Sequence, residues 1–199
     1  MNDINYKFFY WGPFLLQTKI DEELRNDLLQ ESKKAVSFFD HNLSKLDDEH
    51  SFKEDQIESF SKRLNVYLET YKNAYQEHWN CGPINEIIIK SMWVNNQKEK
   101  EWRPPHFHSN CDASFVIYLD MPKVESMTED VYYEYIPGGI VFKNATKAQF
   151  HDKLKSIDHI SYLPENGDMF IFPYNLEHYS VPFKTEATRV SLSGNLIIK

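Results

Sequence analysis

The first half of the chain carries the hydrophobic pattern of helices. From Phe60 onward, apolar and aromatic side chains recur every three or four residues, as in an amphipathic helix that packs on a neighbouring element. The positions are Leu64, Tyr67, Leu68, Tyr71, Tyr75 and His78. An earlier helix is predicted to begin near Asp21, because Asp is a favoured N-cap and Glu22 and Glu23 form an acidic first turn. The break Cys81-Gly82-Pro83 ends the longer helix.

A polar segment from Asn42 to Ser51 separates the two predicted helices. It contains the acidic triplet Asp47-Asp48-Glu49, and a run of like charges is usually hydrated. We therefore expect this triplet to lie in a solvated loop.

The second half changes to short β-branched and aromatic runs, which are typical of strands. The runs are Ile84 to Val94, Ser114 to Leu119, Val131 to Ile136, Ile140 to Phe142, Met169 to Phe172 and Arg189 to Ile198. Turn residues such as Pro137-Gly138-Gly139 separate them. Helices followed by many short strands predict an α+β domain whose strands form a sandwich or barrel.

Length and composition agree with one ordinary globular domain. The chain has 199 residues, of which 41% are hydrophobic and 26% are charged. These values lie within the usual range for a single folded unit. We expect a single domain over residues 1–199, with residues 1–80 as a helical support and residues 84–199 as the strand-rich core.

The charge balance argues against nucleic acid as a partner. The 22 Lys and Arg residues are outnumbered by 30 Asp and Glu residues, and the net charge of −8 repels a phosphate backbone. Only 6 glycines are present, and the sequence has no glycine-rich phosphate loop. No apolar run approaches the ~18 residues of a membrane span, and 2 isolated cysteines fit a reducing compartment. We expect a soluble cytoplasmic protein with no nucleic-acid or membrane partner.

The pair His106 and His108 is the best local candidate for chemistry. Their spacing places both side chains on one face of an extended segment. Imidazole is the commonest protein ligand of transition metals, so the pair is a candidate metal site. The same spacing also fits two polar residues on the hydrated face of an antiparallel strand. The pair by itself leaves both interpretations open.

Two residues further along the chain extend this candidate site. His178 follows the predicted strand at Met169 to Phe172 after a short turn, which makes it a possible third ligand. Arg189 begins the last predicted strand, and an Arg inside a barrel needs an anionic partner because its charge cannot be removed. A carboxylate ligand would satisfy it. Taken singly, His178 is better explained as an ordinary loop histidine and Arg189 as a surface residue.

The order of these motifs resembles that of the iron(II) and 2-oxoglutarate dioxygenases of the prolyl-hydroxylase type. The resemblance covers roughly residues 84–199, and in detail it is most similar to short dioxygenases of marine bacteria and their phages. It implies a double-stranded β-helix, a jelly-roll barrel with N-terminal helices packed on one sheet. The motifs that carry it are Trp93-Val94-Asn95, His106-Phe107-His108, Phe115-Val116-Ile117-Tyr118-Leu119-Asp120, Gly138-Gly139-Ile140-Val141-Phe142, Gly167-Asp168, His178 and Arg189-Val190-Ser191.

The resemblance also implies roles for individual residues. His106 and His178 would be metal-binding histidines, and iron(II) would be the metal. Arg189 would hold the distal carboxylate of the cosubstrate 2-oxoglutarate, a geometry for which guanidinium is suited. Tyr118 and Ser191 would add hydroxyl donors to the same carboxylate. O₂ and a small-molecule or peptidyl substrate would complete the reaction.

One residue departs from the family pattern. The pattern H-x-D places a carboxylate ligand two residues after the first histidine, and this chain has His108 there. Two ligand sets fit the sequence. One is a three-histidine site of His106, His108 and His178, and the other uses Asp112 as the carboxylate.

Three functions follow from these alternatives. The leading one is an iron(II)- and 2-oxoglutarate-dependent oxygenase that acts as a hydroxylase of an unassigned substrate. The second is a jelly-roll binding module that has lost catalysis together with the H-x-D carboxylate. The third is a three-histidine metalloenzyme that needs no 2-oxoglutarate, which would leave Arg189 without a role.

Overall fold

The computed structural model of the protein describes residues 4–10, 12–35, 37–38, 48–124, 136–144 and 159–199. These residues form two helices, α1 (Glu22–Ser32) and α2 (Glu54–Trp79). They also form strands β1 (Tyr6–Tyr10), β2 (Phe14–Lys19), β3 (Ser37–Phe38), β4 (Glu49–Ser51), β5 (Ile87–Lys98), β6 (Ala113–Asp120), β7 (Ile140–Lys143), β8 (His159–Tyr162), β9 (Asp168–Pro173), β10 (Glu177–Ser180) and β11 (Thr188–Ile198). The predicted α+β class is confirmed. The predicted strand at Val131 to Ile136 lies almost entirely outside the described residues.

Both helices have the end signals that the sequence indicates. The Asp21 carboxylate accepts a hydrogen bond of 2.8 Å from the Leu24 amide, which caps α1. Helix α2 begins before the predicted Phe60, because the Gln56 side chain accepts a bond from the Lys53 amide and closes the first turn. It ends at Asn80, which has the left-handed backbone of a helix stop, with φ 45°. Within the described ranges, neither helix is long and apolar enough to span a membrane.

Antiparallel pairing organises the strands into two sheets. The larger sheet has the order β1-β2-β9-β6-β11-β5-β4-β3, and the smaller has the order β10-β7-β8. Strand β11 lies at the centre of the larger sheet, between β5 and β6. An isolated bridge between His106 and His178 connects the segment after β5 to β10.

Side chains on the central strands alternate between two covered faces. One face joins the helices in a cluster that includes Phe115, Ile117, Met169, Ile171, Leu64 and Leu68. The opposite face joins the smaller sheet in a cluster that includes Val116, Tyr118, Phe170, Phe172, Ile140 and Phe142. Successive residues of a strand point to opposite faces, so the two-residue period divides β6 and β9 between the two clusters.

The expectation that the acidic triplet lies in a solvated loop is wrong for Glu49. Glu49 lies in β4, is only 2% exposed and forms an ion pair with Arg103. Asp48 accepts a 3.0 Å hydrogen bond from the Asn96 side chain. Nearby cationic and amide donors compensate these carboxylates, and the sequence pattern does not show which side chains face them. Asp47 lies outside the described residues.

We expect residues 1–199 to fold as one domain, so a chain without residues 1–80 should be insoluble. The deletion removes α2, whose buried side chains cover one face of the larger sheet, and it exposes that apolar face to water. The soluble fraction after expression and the circular dichroism spectrum measure the outcome. A soluble, well-folded fragment would contradict the single-domain assignment.

Two point variants on α2 test the same packing without removing 80 residues. Leu64 is 0% exposed whereas Val66, on the same helix, is 47% exposed. Leu64→Ala should reduce the free energy of unfolding by about 2 to 5 kcal/mol, and Val66→Ala should change it by about 0.5 kcal/mol or less.

Candidate metal centre

Three histidines meet at one end of the strand-rich core. His106 and His178 exchange backbone hydrogen bonds of 3.1 and 2.9 Å, and the His108 amide donates to the Tyr174 carbonyl at 2.9 Å. These pairings bring two distant segments side by side. One potential ligand atom from each of His106, His108 and His178 lies within 4.8 Å of the others. The arrangement matches the three-histidine alternative from the sequence.

Backbone carbonyls orient two of the three rings. Nδ1 of His106 lies 2.8 Å from the Pro104 carbonyl, and Nδ1 of His178 lies 2.9 Å from the Leu176 carbonyl. A carbonyl only accepts, so each Nδ1 carries the proton and each Nε2 keeps its lone pair for a metal. Nε2 of His108 lies 3.2 Å from Nε2 of His178. Three imidazoles in this arrangement suit a divalent transition metal.

The surroundings favour the neutral form of these rings. Burial, together with the nearby positive charge of Arg103, lowers the pKa of His106 to about 4. Burial also holds the pKa of His178 well below its ordinary value, with a contribution from the two neighbouring histidines. Neutral imidazole is the form that binds metal.

Arg189 lies in the same pocket as the three histidines. Its Nη1 donates to the Gly138 carbonyl at 2.8 Å and its Nη2 donates to the Gln97 side-chain oxygen. Both partners are neutral, and the buried Nε has no hydrogen-bond partner within the described part of the chain. Burial lowers the pKa of Arg189, although an Arg stays charged in proteins. The pocket therefore contains a buried cation without a carboxylate partner among the described residues.

Tyr118 and Ser191 lie beside Arg189, as the resemblance implies. Both are buried and both line the pocket, and they are directly opposite each other in the pairing of β6 and β11. The Arg189 Cζ atom is 5.5 Å from the centre of the Tyr118 ring. Burial raises the pKa of Tyr118 to about 12, so its hydroxyl keeps its proton at neutral pH and can donate a hydrogen bond.

Asp112 does not join the histidines. It is exposed, and its carboxylate accepts a 2.8 Å hydrogen bond from the Ile198 amide at the end of β11. It is not a member of the metal-ligand cluster found among the described residues. Of the four candidate ligands from the sequence, the structure brings His106, His108 and His178 together and leaves Asp112 apart.

Sequence reasoning missed the side chains that support the site. Gln97 lies directly opposite Arg189 in the pairing of β5 and β11 and holds its guanidinium. Arg103 lines the pocket and pairs with Glu49. The polar alternation of Asn95 and Gln97 in a β-strand was the available signal, since side chains two apart share a face.

Solved structures with a similar fold include several prolyl hydroxylases. The viral collagen prolyl hydroxylase of Paramecium Bursaria Chlorella virus-1, solved with 2OG, has 13% identity and a TM-score of 0.57, covering 93% of this chain and 96% of its own. A Pseudomonas putida prolyl-4-hydroxylase has 13% identity and a TM-score of 0.58, covering 92% and 91%. A Trichoplax adhaerens prolyl hydroxylase, in complex with a hypoxia inducible factor peptide, has 12% identity and a TM-score of 0.58, covering 94% and 84%. At these identities the likeness shows the fold, and the predicted double-stranded β-helix is confirmed.

A family comparison adds to this structural likeness. The family described as "Putative 2OG-Fe(II) oxygenase" matches residues 91–195, which is just over half of the chain and includes all three histidines and Arg189. A search of curated protein sequences gave no match. The narrower resemblance to dioxygenases of marine bacteria and phages stays a prediction. The family match and the fold together identify the chain as a member of the 2OG-Fe(II) oxygenase family.

Proposed function

We propose that this protein is an oxygenase that uses iron(II), 2-oxoglutarate and O₂ to hydroxylate a small-molecule or peptidyl substrate. One observation carries the proposal. A cluster of three imidazoles and a buried arginine without a carboxylate partner among the described residues line the same pocket. The imidazole cluster fits a metal ion, and the buried arginine fits a carboxylate of the cosubstrate.

His106, His108 and His178 would hold the iron. Two of the rings are fixed with Nε2 available, so the fold rather than the metal orients these ligands. Iron(II) with bound 2-oxoglutarate supplies the activation of O₂ that oxidation of a substrate carbon requires. The protein contributes the ligand geometry and a partly buried pocket.

Arg189 would bind the distal carboxylate of 2-oxoglutarate. Its unpartnered Nε is a donor in a buried site, and an unsatisfied buried donor is costly until an acceptor arrives. An anion there would also compensate a charge that has only neutral partners among the described residues. The protonated hydroxyl of Tyr118 and the hydroxyl of Ser191 would complete the binding site.

A second candidate function rests on the missing carboxylate ligand. His108 occupies the position where the family pattern has Asp, and the Asp112 carboxylate is bound to the Ile198 amide instead. A non-catalytic jelly-roll binding module would have the same barrel without a competent metal centre. Metal and cosubstrate titration separates the two candidates.

We predict that anaerobic addition of iron(II) and then 2-oxoglutarate to the metal-free protein produces the visible charge-transfer band of an iron-bound keto acid. Arg189→Gln should weaken 2-oxoglutarate binding by about ten- to a hundredfold, because it removes charge-assisted hydrogen bonds. His178→Gln should abolish the band, because it removes a metal ligand. Absorbance titration measures both effects.

Arg63→Gln is the matched control, since Arg63 forms an ion pair with Asp27 at 2.9 Å and neither residue lines the pocket. It should bind 2-oxoglutarate as the wild type does. Iron binding without the band would indicate a metal site of another kind. A protein that binds neither iron nor 2-oxoglutarate would be the binding module.

We predict that acid destabilises the metal-free protein through its metal-binding histidines. The folded pKa of His106 is about 4 and that of His178 is also lowered, whereas an unfolded histidine titrates near ~6.5. Below that value the unfolded chain binds protons that the folded chain does not. The contribution of these two histidines to the free energy of unfolding is therefore fully present above about pH 6.5. It is lost as the pH falls towards 4. The midpoint of urea denaturation against pH measures this loss.

The double variant His106→Gln/His178→Gln tests the source of the pH dependence. It should lose stability less steeply between these pH values than the wild type, because two titrating groups are absent. His159→Gln, which changes a histidine outside the metal cluster, should keep the wild-type slope. Equal slopes in all three proteins would contradict the assignment.

A further inference from the structure

A second arginine lines the pocket, separate from the one assigned to 2-oxoglutarate. Arg103 follows β5 and precedes the first histidine by three residues. Its Nη1 donates to the buried Glu49 carboxylate and, at 3.3 Å, to the Asn95 side-chain oxygen. Asn95 in turn donates to the Ser193 hydroxyl at 3.1 Å. These contacts fix one corner of the guanidinium.

The opposite edge of the Arg103 guanidinium is available for a ligand. Nε and Nη2 have no hydrogen-bond partner in the described residues, where Nη1 makes all of the contacts of this side chain to other side chains. Nε and Nη2 together form the side-on edge that binds a carboxylate through two parallel hydrogen bonds. Glu49 is 2% exposed, so it holds Arg103 from the protein side and does not compete from the pocket.

The charges in the pocket favour an anion at this edge. A divalent metal and two arginines would bring four positive charges, and Glu49 and a 2-oxoglutarate dianion would bring three negative ones. The three imidazoles add none, whereas an H-x-D site has a carboxylate ligand that would cancel the remaining charge. An uncompensated positive charge in a partly buried pocket attracts a negatively charged substrate.

We propose that Arg103 binds a carboxylate of the primary substrate, which makes that substrate a carboxylic acid. Arg103 is then a specificity-determining residue that Glu49 and Asn95 hold in position. The inference rests on the proposed function, because it assumes that 2-oxoglutarate is bound at Arg189 and that the substrate carboxylate is a second anion in the same pocket.

The test uses acetate as the probe, on protein loaded anaerobically with iron(II) and 2-oxoglutarate. High-spin iron(II) is paramagnetic, so acetate labelled with ¹³C at the carboxylate relaxes faster when it binds in this pocket. The wild type should show a saturable relaxation enhancement. Arg103→Gln should weaken acetate binding by about tenfold or more, the loss expected for a charge-assisted pair. It should weaken 2-oxoglutarate binding much less than Arg189→Gln does, since Arg189 holds that ligand directly.

Glu49→Gln tests the same idea in the opposite direction and does not remove the arginine. Neutralising the carboxylate on Nη1 should tighten acetate binding several-fold, because Arg103 loses its only compensating charge among the described residues. Unchanged or weaker acetate binding in Glu49→Gln would count against the role of Arg103. Arg63→Gln should leave acetate binding unchanged.

Each possible failure has a distinct meaning. A charge-transfer band without saturable acetate relaxation would overturn the role of Arg103 and leave the proposed function intact. Acetate binding that persists unchanged in Arg103→Gln would place the anion on the metal and also overturn it. Absence of the band would overturn the proposed function and this inference with it.

Discussion

Coverage of both faces of the larger sheet is the constraint on which the rest of the structure depends. Because strand side chains alternate, each central strand must supply apolar residues to the helices and different residues to the pocket. Strand β6 does so with Phe115 and Ile117 on the helix side and Val116 and Tyr118 on the other. The same period puts Arg189 and Ser191 on the pocket side of β11. The same alternation of side chains along the strands therefore produces both the hydrophobic contacts with the helices and the lining of the candidate site.

The two pocket arginines have opposite electrostatic surroundings. Arg103 has a buried carboxylate partner, whereas Arg189 has only a carbonyl and an amide oxygen among the described residues. Burying a charge without a counter-charge costs free energy, and a site tolerates that cost when a ligand removes it. This difference in surroundings is consistent with the proposal that Arg189 binds 2-oxoglutarate, whereas Arg103 is held in place by a protein carboxylate.

The candidate metal centre depends on the backbone as much as on its histidines. Paired backbone groups of His106 and His178 set their separation, and the carbonyls of Pro104 and Leu176 set their ring orientation. A neutral ligand set leaves bound iron(II) more positive than a set with a carboxylate. That property connects the departure at His108 to the anionic character proposed for the substrate.

Local sequence pattern predicted both helices and five of the eleven strands in the described residues, namely β5, β6, β7, β9 and β11. It named the four candidate ligands but did not choose between the two ligand sets. Helical spacing after Phe60, the pair at His106 and His108, and the strand that begins at Arg189 are all readable within a few residues. Only the tertiary structure determined which residues distant in sequence contact each other. Glu49 pairs with Arg103 across 54 positions and Gln97 pairs with Arg189 across 92. Asp112 is close to His108 in sequence, yet its carboxylate binds Ile198. Burial and pairing come from strand register, and no local pattern specifies the register between distant segments.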